Sequence, residues 1–112
     1  MLQMNEPRYT IDVGGTYYVS TRSTFEKSSV LKSIISKHTD PDAPPFVDRD
    51  GSAFHFVLNF LRNGTVQHIE DRSYQTILIL EAGFYGLRRM EYQLTNMNAT
   101  PPTPDRAATS LS

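Results

Sequence analysis

The sequence predicts an α+β fold, a small mixed sheet with an N-terminal β-hairpin packed against a helical cluster. Two strand-like runs flank Gly14-Gly15 near the N-terminus. Beyond them the apolar residues change from a period of two to helical spacing, interrupted by one or two further short strand signals. No internal repeat is present.

Arg8–Val13 and Thr16–Thr21 read as the two strands, since a two-residue Gly-Gly connection is a strong hairpin signal. Ser23, Thr24, Ser28 and Ser29 supply turn and cap chemistry before a short helix from Val30 to about Lys37, with Val30, Leu31, Ile34 and Ile35 on one face. The polar, proline-rich stretch His38–Pro45 is a loop, and Phe46-Val47 a short strand. Asp50 is placed to cap a helix from about Gly51 to Asn63, whose stripe Phe54, Val57, Leu58 and Leu61 follows i, i+3, i+4, i+7. Gly64 ends it. Thr65–Ile69 is expected as a short edge strand. Ser73 is expected to cap a helix from about Tyr74 to Tyr85, with Ile77, Leu78, Ala82 and Tyr85 inward. After Gly86, a last helical turn or two spans Leu87 to Thr95. One domain over residues 8–96 is expected, followed by a flexible Pro/Thr/Ser-rich tail or linker over 97–112.

The chain has 112 residues, enough for one modest core, and its 38% apolar and 21% charged residues describe an ordinary globular domain. Eleven basic residues face twelve acidic ones, so nucleic acid is not an expected partner. Neither a membrane helix nor a signal-peptide pattern is read in the sequence, so no membrane partner is expected. Cysteine is absent, which removes disulfides and cysteine catalysis and suits a cytoplasmic setting.

Ile11-Asp12-Val13-Gly14-Gly15-Thr16 resembles the phosphate-binding turn of actin-like ATPases, but those enzymes close two lobes over a nucleotide and carry a second phosphate loop. The simpler account is that Gly14 and Gly15 supply positive φ for a tight turn. His38, His55 and His68 lie in separate segments without ligand spacing, and no Walker loop, dinucleotide fingerprint or hydrolase elbow occurs. No enzyme activity, metal or cofactor is expected. Asp48, Arg49 and Asp50 form a charged turn. By local chemistry alone, Asp50 is a helix cap and its neighbours are solvated surface. Phe56 lies off the stripe of its helix, either sandwiched within the domain or facing a partner, and in so short a chain the first is preferred.

Three motifs in order carry a resemblance. They are Ile11–Thr16 with Thr21 and Thr24; Phe46–Gly51 with Phe54 and Val57–Gly64; and Glu81–Leu87. From about Tyr9 to Leu94 the chain resembles the BTB/POZ domain of the potassium-channel tetramerisation type. Its wording is closer to the KCTD proteins than to voltage-gated potassium channels. Asp12 stands where the family usually has Asn, and Ile34-Ile35-Ser36-Lys37 replaces a usual Leu-Phe and Ser-Gly pattern. Without cysteine, the zinc-bridged assembly of some channel domains is excluded. The resemblance implies a non-catalytic homo-oligomeric ring, tetramer or pentamer, and an adaptor role for a cullin-3 ubiquitin ligase; the alternative is a channel assembly domain. It further implies Asp12, Asp48, Arg49, Asp50 and Arg62 at the oligomer interface and Ile34, Ile35, Lys37 and His38 at a partner surface.

Overall fold

The structure is a computed structural model that describes residues 6–97, so the expected tail beyond Met97 lies outside the described residues. The elements run β1 (Arg8–Val13), β2 (Thr16–Thr21), α1 (Arg22–Phe25), α2 (Ser29–Lys37), β3 (Phe46–Val47), α3 (Gly51–Asn63), α4 (Arg72–Phe84) and α5 (Arg88–Asn96). The α+β expectation holds. The sheet has the order β2-β1-β3, antiparallel between β1 and β2 and parallel between β1 and β3.

Gly14 and Gly15, at φ 58° and 97°, form the hairpin turn, because both central positions of such a turn need positive φ. Asp12 Oδ1 accepts from the Gly15 amide at 2.8 Å, which accounts for a polar residue at that strand end. Ile11 and Val13 point into the core. β3 joins β1 through Asp12 N–H to the Pro45 carbonyl and Gly14 N–H to the Val47 carbonyl, both at 2.9 Å.

Each of the first four helices starts on a side-chain cap that satisfies an orphan amide: Thr21 for α1, Ser28 for α2, Asp50 for α3 and Asp71 for α4. The single turn α1 is an element that the sequence reading takes only as turn chemistry. α3 matches its expected bounds and ends at Gly64 in the left-handed region. Phe54, Val57, Leu58 and Leu61 are buried as expected, and Phe60 with them. Phe56 is half-buried against Tyr74 of α4, ring centroids 5.5 Å apart, so it sits between helices.

Three expectations are corrected. α4 begins at Arg72 on the Asp71 carboxylate, which takes the Ser73 amide at 2.9 Å; Ser73 is therefore not the cap. Ile77 faces outward, 40% exposed, while Gln75, Leu78, Glu81 and Ala82 face inward. Thr65–Ile69 forms no strand. Its backbone partners come instead from side chains: Gln93 accepts from Val66 N–H and donates to the Gly64 carbonyl, Met97 Sδ accepts from Ile69 N–H, and Gln75 donates to the Ile69 carbonyl. These contacts do what a ladder would have done.

The core lies between the inner sheet face and the helices, centred on Phe25, Phe54 and Tyr85. Phe54 meets Tyr18 and Tyr85 edge-on at 5.1 and 5.2 Å, a preferred aromatic geometry.

Candidate functional site

The three sequence motifs, far apart in the chain, meet at one corner. The β1–β2 turn lies directly on the turn before α3. A Cβ at Gly14 would strike the Arg49 carbonyl, and one at Gly51 would strike the Val13 carbonyl and Thr16 Oγ1. Glycine is required at both positions by this close backbone approach. Tyr18 secures it by donating to the Gly51 carbonyl at 2.7 Å.

The third motif joins through charge. Arg49 Nε donates to Glu81 Oε1 at 3.0 Å and its NH2 group to Oε2 at 2.8 Å, a bidentate pair. The Glu81 side chain is only 8% exposed and that of Arg49 30%. The guanidinium also stands 4.6 Å from the Phe84 ring centroid. Hydrogen bonds from Arg49 to the Glu81 carboxylate push the guanidinium pKa up, against a burial effect that opposes it. Beneath the pair, the Tyr85 hydroxyl is buried without a hydrogen-bond partner among the described residues, and burial drives its pKa well above the usual phenol range.

Beside this pair the other two charges of the turn are exposed. Asp48 points to solvent. Asp50 is exposed while its Oδ1 accepts from the Ser52 amide and hydroxyl at 2.9 and 2.8 Å; these bonds hold its carboxyl below the usual range. α4 adds an apolar stripe at i, i+3, i+7: Ile77, Leu80 and Phe84, with Leu80 63% exposed.

Of the residues expected at an oligomer interface, Asp12, Asp48, Arg49 and Asp50 thus share one corner. Arg62 does not; twelve residues along α3 from Asp50, it stands roughly 18 Å away along the axis. Its guanidinium donates to the Val19 carbonyl at 3.1 Å. Of the expected partner surface, Ile35 is 4% exposed and belongs to the core, so it presents nothing outward. Ile34 is half-buried and Lys37 exposed. The His38 ring closes its own loop through Nε2 and the Ala43 carbonyl at 2.7 Å.

Sequence reasoning gave Glu81, Leu80 and Phe84 no role. The available signal was an ionisable residue, Glu81, on the inward stripe with Leu78 and Ala82. Such a residue needs a buried partner. Chemically, the corner has a neutralised cation, exposed carboxylates and apolar rings. No group of three or more His, Cys, Asp or Glu among the described residues is arranged to hold a metal.

The BTB/POZ domain family model matches residues 9–95. The BTB/POZ domain-containing protein KCTD21 of Mus musculus is 34% identical over 88 residues, covering 73% of this chain and 34% of that protein. The Homo sapiens protein of the same name gives the same figures. The chain spans about a third of the length of these curated relatives. On the matched span and the convergence of its three motifs, the chain belongs to the BTB/POZ domain family, in the KCTD, potassium-channel-tetramerisation branch.

Proposed function

We propose that the domain is a non-catalytic homo-oligomerisation and protein-interaction module of a KCTD-type protein, and that it serves as a substrate adaptor for a cullin-3 ubiquitin ligase in the cytoplasm. The observation that carries the assembly reading is the mixed surface around Arg49. Ile77, Leu80 and Phe84 lie beside the corner bearing Asp48 and Asp50 and stay exposed among the described residues. A rimmed apolar patch is the usual mark of an association surface. A head-to-tail contact closes into a ring when its rotation permits, and exposed ion pairs of ~0.2–1 kcal/mol each act by repetition around it.

Light scattering at micromolar concentration tests this. A mass several times 12.7 kDa is expected, and Leu80→Asp should lower it while leaving the helical circular dichroism unchanged. A monomeric wild-type chain removes the ring. The adaptor reading is tested by pull-down with the cullin-3 N-terminal domain, where capture is expected; no capture removes the ligase role and leaves assembly standing.

A further inference from the structure

A second surface lies at the other end of α3. Lys27, Arg62, Arg88 and Arg89 line a shallow hollow of about 570 Å³ whose floor is Phe60, Leu61 and Leu87, and no carboxylate lines it. Four cations converge here in a chain whose net charge is −1, so an overall basic excess does not put them together. Lys27 Nζ donates to the Leu61 carbonyl at 3.0 Å and Arg62 to the Val19 carbonyl. These neutral acceptors leave both charges uncompensated and further donors free for use. Arg88 and Arg89 are exposed and form no ion pair among the described residues. Both also begin α5, where the helix dipole disfavours positive charge and Leu87 offers no side-chain cap; Glu91 is the one acidic residue of that turn. An anion in the hollow relieves the mutual repulsion of the four groups and suits the start of α5.

We propose that this hollow docks an acidic peptide segment of a partner protein, with Arg88 and Arg89 forking onto Asp or Glu carboxylates and the apolar floor taking an adjoining side chain. The proposal rests on the reading of the domain as a protein-interaction module. An open groove with an apolar floor suits a chain segment, and planar guanidinium groups suit carboxylates.

Fluorescence anisotropy of the full chain with a labelled Glu/Asp peptide, against its Gln/Asn counterpart, tests it. The acidic peptide is expected to bind, more weakly as salt is added, and the neutral one to stay free. Arg88→Glu with Arg89→Glu should weaken binding at least roughly tenfold, whereas Lys32→Glu with Arg72→Glu, an equal charge change elsewhere, should not. Absence of binding by the wild-type chain, or equal losses in both double variants, overturns the proposal. If circular dichroism finds the reversed pair unfolded, Arg88→Gln with Arg89→Gln gives the same comparison. Light scattering separates this surface from the ring. Dispersal of the oligomer by the Arg88/Arg89 pair means that the hollow faces a second copy and overturns the proposal. A monomeric wild-type chain that still binds the peptide through these arginines keeps the hollow and removes only the ring.

Discussion

Arg49 holds both oxygens of Glu81 and rests against Phe84, so its charge is spent inside its own subunit. Such a pair adds little over well-packed apolar residues, because desolvation of two ions offsets most of their attraction. Removing one partner is different, since it strands a charge in a site that water reaches poorly. Arg49→Met is expected to cost roughly 2–3 kcal/mol, below the full buried-pair range because Arg49 keeps 30% exposure. Arg49→Met combined with Glu81→Leu should recover most of that loss in urea denaturation. Additive costs of the two single changes would mean that the pair is not energetically coupled. The three-charge turn was legible in the sequence as a capped helix start. Its central arginine was not, because its partner lies 32 residues away and nothing local distinguishes a paired Glu from a solvated one. Asp48 remains the better probe of an intersubunit contact, since its substitution leaves the fold's own pair intact.

At the scale of elements, Gly51 and Gly83 stand in opposite surroundings. Gly51→Ala drives a methyl into the Val13 carbonyl and Thr16 Oγ1, prying the hairpin from the start of α3. It should lower stability by about 1–3 kcal/mol. Gly83, inside α4, has open space where a Cβ would stand. Gly83→Ala should raise stability by about 0.5–1 kcal/mol, since it restricts the unfolded chain at no steric cost. Thermal melts of the two variants, moving in opposite directions, check the pair; a shared direction refutes the close-approach account. α3 was readable to the residue because cap, stripe and stop signal are all local. The Thr65–Ile69 segment was misread because its determinants are tertiary, and the start of α4 because two neighbouring residues both offered a cap. Gln93 reaches Val66 across 27 residues, and Asp71 competed with Ser73 for one cap. Ile77 was placed inward by spacing alone, although a helix packed on one side leaves some apolar positions outside.

Across the whole molecule, α3 separates two charge environments, carboxylates at its start and cations near its end, in keeping with its dipole. That polarity suits a subunit with two unlike faces. The family was legible from three short motifs, which the fold brings together at one corner. The basic hollow was not, because Lys27, Arg62 and the Arg88-Arg89 pair come from three separate segments. The Arg62 contact with Val19 has one more consequence. β2 is an end strand of the sheet, so its outward carbonyls form an open template on which a foreign strand can zip and seed fibres. Arg62 occupies one of those carbonyls and sets a charge beside the open edge, an arrangement that opposes strand addition. Arg62→Ala should therefore shorten the lag of thioflavin-T fluorescence under mild heating, and an unchanged lag would clear the arginine of that duty.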